Sequence, residues 1–372
     1  MLQPQSENEL AEVIAGANGP LSVRGGGTRV EPVAGEVLTA DSLSGIEIYE
    51  PGALTVVAKA GTTVNELSKT LAREGQQLAF EPPDFAANFT SGGNSTIGGV
   101  VASNSSGPRR IQAGAARDSL LGIRFVDGQG QITKNGGRVM KNVTGYDLSK
   151  LFAGSFGTLG VLTEVALKVL PIPETCATVR LEGLSPPEAT KAMSSAMASP
   201  YDVSGAAHVR NAGQTDASTL LRIEGFERSV RHRAQMLIER LKEFAECEKI
   251  LDYQSSVSTW AGVCNLDIFS GCKGSLWRVS VRPTDGPAVI DRVPAFNSVM
   301  DWAGGLVWLE VEKGTNVRKL LTGIGGHATL IRGAGQESYL RFQPEPPAIE
   351  KLSRGLREKF DPRGILNPGL MG

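Results

Sequence analysis

Metal-ligating residues are scarce in this chain, with 4 Cys and 3 His among 372 residues. Cys176, Cys247, Cys264 and Cys272 form no C-x-x-C pair and no ferredoxin-like run. A zinc ribbon or iron–sulfur cluster is therefore not expected, and a reducing, cytoplasmic setting fits best. His208, His232 and His327 make no H-x-H or H-x-x-H grouping, so no metal site is expected either. Charge of one sign is missing too. With 38 Lys+Arg against 39 Asp+Glu the formal net charge is -1, which excludes a general nucleic-acid or polybasic membrane surface. No apolar run approaches the ~20 residues of a membrane span. The start, Met1-Leu2-Gln3-Pro4-Gln5, lacks the basic and apolar regions of a signal peptide.

Glycine is what the chain has in excess: 45 residues, about 12%, against a usual share of about 7%. Fifteen of them fall between Gly92 and Gly160. No collagen period accounts for this, so that stretch needs bare backbone. Around it the elements are ordinary. Ser6-x-x-Glu9 predicts a capped helix with Leu10, Val13 and Ile14 inward. Strands are expected at Leu21–Val23, Thr55–Lys59, Gly122–Val126 and Leu162–Val169, with a helix from Thr63 to Gly75. The region from Glu81 to Arg117 shows little periodicity and is too long for a loop that binds nothing.

Leu170-Pro171-Ile172-Pro173 marks a domain boundary. After it, strands at Thr178–Glu182, Val203–Val209 and Thr219–Glu224, helices from Ser185 and over Ser229–Phe244, and an extended Lys249–Tyr253 give the order βαββαβ. That order predicts a ferredoxin-like antiparallel sheet with helices on one face. Leu276–Val281 and Leu306–Val311 are expected to widen it, and a helix over Ile349–Phe360 precedes the tail. No internal repeat is visible. The expected division is 1–172, 173–335 and 336–372.

Three elements carry ligand-binding character. Arg24-Gly25-Gly26-Gly27-Thr28 follows a strand, and consecutive glycines let N–H groups turn inward as a nest suited to phosphate. A flexible hairpin turn is an equal reading of the pentapeptide alone. It is not a dinucleotide G-x-G-x-x-G, because Val30 occupies the third glycine's place. The second element runs from Ser91 to Gly107 and includes Ser95-Thr96-Ile97-Gly98-Gly99 and Asn104. It offers hydroxyls, backbone donors and room for a flat ligand. The third, Lys141–Leu148 followed by Gly154-Ser155-Phe156-Gly157-Thr158-Leu159-Gly160-Val161, could in isolation be plain packing.

Taken in order, R-G-G-G-T, S-T-I-G-G, R-D-x-x-L-G, G-Y-D-L, G-T-L-G-V-x-T-E and the terminal F-D-P-x-x-x-L-N-P-G resemble the vanillyl-alcohol oxidase family, with its PCMH-type FAD-binding domain. Glu81-Pro82-Pro83, Gly107-Pro108-Arg109-Arg110, Leu276-Trp277-Arg278 and Gly325-Gly326-His327-Ala328-Thr329 bring the resemblance closest to the FAD-binding subunits of glycolate oxidase (glycolate dehydrogenase) complexes. The resemblance implies an α+β fold: a two-subdomain FAD domain, a ferredoxin-like cap, and a C-terminal segment returning to the FAD domain.

It further implies that Arg24, Gly25, Gly26, Gly27 and Thr28 hold the FAD pyrophosphate, while Ser95, Thr96, Ile97, Gly98 and Gly99 hold its other side and the ribityl chain. Pro82 belongs to the cofactor set. Asn104 and Gly107 are expected near the isoalloxazine, Gly160 and Val161 near the adenine, and Asn367 near the ring. Relatives with covalent flavin carry a histidine beside the first glycine loop; Thr28 and Arg29 stand here, so non-covalent FAD is expected. Phe156 replaces the glutamate of many relatives.

The histidine-rich G-D-G-N-x-H motif of related 2-hydroxy-acid dehydrogenases is absent. Oxidation of a 2-hydroxy acid needs a cation for the carboxylate and a base for the hydroxyl proton. His327 as base and Arg332 as clamp are the remaining candidates, although a histidine after two glycines also reads as a turn residue. The implied partners are a larger FAD subunit and an iron–sulfur subunit, with the membrane reached only through them. A self-sufficient dehydrogenase and a structural subunit with a relic flavin fold are the alternatives.

Overall fold

A computed structural model describes residues 1–29, 31–85, 93–138, 145–211, 217–250, 252–333 and 340–371. Ser91 and Gly92 of the second glycine element and Lys141 to Thr144 of the third lie outside them. The chain divides into two compact units, Met1–Ser106 with Gly114–Ile172 and Pro344–Gly372, and Gly107–Ala113 with Pro173–Gln343.

In the first unit, α1 (Glu7–Gly16) starts where the Ser6 hydroxyl accepts the Glu9 N–H and the Glu9 carboxylate accepts that of Gln5. Leu10 and Ile14 are buried beneath it. β1 (Leu21–Arg24) pairs in parallel with β2 (Glu36–Thr39). Next come β3 (Ile46–Glu50), β4 (Thr55–Lys59), α2 (Val64–Arg73), capped by Thr63, and β5 (Gln76–Gln77). The stretch without periodicity contains α3 (Ile97–Ser103), then α4 (Arg110–Ala113) of the second unit and α5 (Ala116–Ser119). β6 (Leu120–Val126), β7 (Ile132–Gly136), α6 (Leu148–Phe152), β8 (Val161–Lys168) and β9 (Leu170–Pro171) follow.

An antiparallel sheet of order β3-β4-β8-β6-β7 buries Val56, Ala58, Phe125, Val165 and Leu167 against α2 and α3. A separate core joins Leu10, Ile14, Leu21 and Leu38 to Val126, Val161 and Leu366. Two cores in one unit match the expected two-subdomain FAD domain.

The second unit begins with β10 (Thr175–Glu182), α7 (Pro186–Met197), β11 (Val203–Arg210), β12 (Ser218–Gly225), α8 (Glu227–Leu241) and β13 (Cys247–Ile250). Its strand order, β13-β10-β12-β11, is the expected ferredoxin-like one. α9 (Tyr253–Asn265) starts at Tyr253, where an extended chain was expected, because the Asp252 carboxylate accepts the Gln254 and Ser255 N–H groups. β14 (Ser275–Val281), α10 (Gly286–Arg292), β15 (Ala295–Asp301), β16 (Leu306–Val311), α11 (Val317–Leu320) and β17 (Gly326–Arg332) then repeat the topology in the order β15-β16-β14-β17. β11 and β15 join edge to edge, so two βαββαβ halves form one eight-stranded sheet. The repeat that the sequence hides is present in the topology. α12 (Pro347–Phe360) belongs to the first unit, where Phe360 packs edge-on against Phe152 at 5.4 Å.

Candidate functional site

β1 delivers Arg24 to the first glycine turn, and β4 ends at Ala60-Gly61, on which the second element is built. Ile97 N–H donates to Thr62 O at 2.9 Å and Gly98 N–H to Ala60 O at 2.8 Å. Thr96 caps α3 by accepting the Gly99 N–H. The turns touch backbone to backbone. A Cβ on Gly26 would fall 2.7 Å from the Asn94 carbonyl carbon and closer still to its oxygen. One on Gly98 would lie 2.6 Å from the Ala60 Cβ. Real Cβ atoms essentially never approach within 3.0 Å, so glycine at these positions lets the loops meet.

Between them runs an open groove lined by Arg24 to Arg29, Ala60 and Gly61, Thr96, Gly98 and Gly99, Ala102 and Ser103, Phe156, Gly157, and Gly160 to Leu162. Of the expected cofactor residues it gathers Arg24, Gly25, Gly26, Gly27, Thr28, Thr96, Gly98, Gly99, Gly160 and Val161. Arg24 Nε is buried there without a hydrogen-bond partner. A buried donor without an acceptor beside a cradle of bare backbone fits an anionic, phosphate-bearing ligand. Among the described residues that line it there is neither histidine nor cysteine.

The other expected residues do different work. Ile97 is fully buried in the core beneath. The Ser95 hydroxyl accepts from Arg29, which also donates to the carbonyl of Pro83, the neighbour of Pro82. Arg29, absent from the expected set, thus ties the first glycine turn to the second, and its signal was a lone cation after three glycines. Asn104 terminates α3 at φ 48°, and its side chain accepts the Arg117 N–H at 2.9 Å. Gly107 belongs to the second unit, where its carbonyl accepts the Trp302 indole N–H at 3.1 Å.

Asn367, 3% exposed, is a staple. Its amide oxygen accepts the Val23 N–H at 2.7 Å, and its amide nitrogen donates to Val23 O at 3.2 Å and Phe156 O at 2.8 Å. It holds β1 and the third glycine turn together under the groove.

The two catalytic candidates stand on β17, in the second unit. His327 pairs in register with Ser280. Partial desolvation of its ring, with the Arg278 charge nearby, lowers its pKa below the usual 6.5. Arg332 donates to the Gly274 carbonyl at 3.4 Å. The neighbouring Glu310 accepts from Asn297 at 2.7 Å and from the Gly274 N–H at 3.2 Å.

Residues 1–136 match the family of FAD binding domains. Glycolate oxidase subunit GlcE of Escherichia coli (strain K12) is 34% identical over 356 residues, covering 95% of this chain and 92% of that protein. Glycolate oxidase subunit GlcD of Bacillus subtilis (strain 168) is 32% identical over 187 residues, 48% of this chain and 38% of its own. Among solved structures, alkyldihydroxyacetonephosphate synthase superposes with a TM-score of 0.70 over 98% of this chain and 76% of that one; at 17% identity this shows a shared fold.

Proposed function

Since the chain belongs to the PCMH-type FAD-dependent oxidoreductase family that includes glycolate oxidase subunit GlcE, we propose that it is the FAD-binding subunit of a complex oxidising glycolate and related short 2-hydroxy acids to 2-oxo acids. The observation that carries this is the convergence of three separate glycine turns on one groove beside the unpartnered Arg24 Nε. Gly25, Gly26, Gly27 and Thr28 hold the pyrophosphate with Arg24. Thr96, Gly98 and Gly99 hold its other side and the ribityl chain. Gly160 and Val161 bound the adenine end, and Asn367 positions β1 and Phe156 beneath the ring. With no histidine or cysteine among the described lining residues, the cofactor is held non-covalently.

FAD held by these residues would supply a two-electron acceptor for the hydride equivalent of the hydroxyl-bearing carbon. Desolvation and the nearby Arg278 charge lower the His327 pKa, which favours the neutral imidazole that a base for the hydroxyl proton requires. The names of the relatives support assembly with a larger, GlcD-like FAD subunit. An iron–sulfur subunit completes the electron path, and the complex works on the cytoplasmic side of the membrane. Among the described residues no helix is long and apolar enough to cross a membrane, so attachment falls to a partner.

Glycolate-dependent dye reduction tests the assignment. The purified, FAD-loaded chain is expected to turn over negligibly alone and to restore activity when mixed with a preparation of the partner subunits. Robust turnover by the chain alone would replace this reading with a self-sufficient dehydrogenase.

A further inference from the structure

Four arginines of the second unit stand in contrasting surroundings. Arg109 and Arg222 share the buried Glu224, at 2.7 Å and 3.2 Å. Arg332 is bonded to Gly274 beside Glu310. Arg278, on β14, has no such compensation. Among the described residues the one charge that acts on it is Arg110, of the same sign. Arg278 is half-buried, and desolvation together with that like-signed neighbour pushes its pKa down to about 10.

What surrounds Arg278 is aromatic and hydroxylic. Its register partners are Trp308 on β16 and Thr329 on β17. Its guanidinium lies 5.4 Å from the Trp302 ring centre and 5.9 Å from that of Trp308. Arg110, on α4, stacks on the same Trp302 at 4.2 Å. His327 stands two residues beyond Thr329 on the same face of β17, about 7 Å along the strand.

Trp302 is fixed deliberately. It and Ala303 adopt φ of 53° and 56°, a conformation that residues with side chains rarely take. The Trp302 N–H donates to the Asp301 carboxylate at 2.7 Å and its indole N–H to Gly107 O. Two guanidiniums on one indole, with no acid acting on Arg278 among the described residues, leave a cationic, aromatic-walled place that an anion would complete.

We propose that Arg278, with Arg110 beside it, is the seat for the carboxylate of the 2-hydroxy acid, in place of Arg332, with Thr329 and His327 facing the same space. The planar fork of a guanidinium matches a carboxylate's two oxygens, and the indoles on either side suit a short substrate. The inference rests on the 2-hydroxy-acid reading above, and it assigns the seat to elements of the second unit alone.

Calorimetric titration of the full-length, FAD-loaded chain with oxalate, acetate and inorganic phosphate tests it, with R278A, R278K and R332Q compared. Saturable oxalate binding is expected, weakened about 10–100-fold in R278A, the loss typical of one charge-assisted pair, and within about threefold of wild type in R332Q. R278K keeps the charge and loses the fork, so an intermediate affinity is expected even if R278A folds poorly; thermal melting and FAD content identify misfolding. Unchanged oxalate affinity in R278A or R278K, or a loss confined to R332Q, overturns the seat and leaves the 2-hydroxy-acid reading standing. Phosphate binding without carboxylate binding, or no anion binding by the wild type, overturns the seat and that reading together.

Discussion

Gly26→Ala puts a methyl group where the first two glycine turns meet. Its Cβ would fall 2.7 Å from the Asn94 carbonyl carbon and closer to the oxygen. A Cβ on the facing Gly93 would likewise fall 2.9 Å from the Gly26 carbonyl carbon. Both neighbours are backbone, so no rotamer change relieves the clash and the turns must separate. If the two turns hold one pyrophosphate between them, as proposed above, that separation loosens the grip. The overpacking penalty, about 2–3 kcal/mol, therefore falls on the bound state. At 1.4 kcal/mol per factor of ten it weakens FAD affinity about 30–150-fold. Quenching of flavin fluorescence during titration of the apoprotein measures it directly. Gly16→Ala is the control, since a Cβ there meets nothing within 4 Å. Wild-type FAD affinity in G26A would refute the claim that these turns grip the cofactor.

Asn367→Ala removes the amide that satisfies both Val23 backbone groups and Phe156 O; it should cost about 2–3 kcal/mol in denaturant titrations and weaken FAD binding, whereas an unchanged midpoint would dismiss the staple. Glu224→Gln leaves Arg109 and Arg222 sharing a neutral partner and should destabilise the chain by about 3–5 kcal/mol in chemical denaturation. His208, 2% exposed, has its pKa depressed to about 4 by burial and the nearby Arg210 charge. The unfolded chain then takes up a proton that the folded chain refuses, so stability falls as pH drops from 6.5 toward 4. By linkage the loss is about 2 kcal/mol between pH 7.5 and 5. His208→Gln should flatten the pH profile by that amount, and equal slopes would contradict a buried neutral imidazole.

Much of the groove was legible because its demands are local. Ser6-x-x-Glu9 and Thr63-x-x-Glu66 announce α1 and α2 through side chains that cap their own helices, and glycine turns advertise backbone that nothing else could replace. Residues acting at a distance were less legible. Asn367 acts through Val23, some 344 residues away in sequence, and Arg29 through Ser95 and Pro83. β17 escaped because Gly325-Gly326-His327 reads as a turn, whereas its hydrogen bonds to β14 make His327 a strand residue. α9 escaped because its run of Ser, Thr and Gly is weakly helical, and packing of Trp260 and Val263 supplies what propensity does not. The doubled βαββαβ topology is hidden for a similar reason. Alternation of buried positions specifies the sheet, and many different residues satisfy it. Arg278 showed as part of a motif, but its want of a counter-charge is a property of neighbours on three other elements.

Release of flavin from the purified full-length chain tests the central claim most directly. The account predicts an equimolar amount of free FAD in the supernatant after acid or heat denaturation, and a colourless apoprotein that regains its flavin spectrum on adding FAD. Flavin retained on the denatured polypeptide, or an apoprotein that folds yet cannot be loaded, would contradict it.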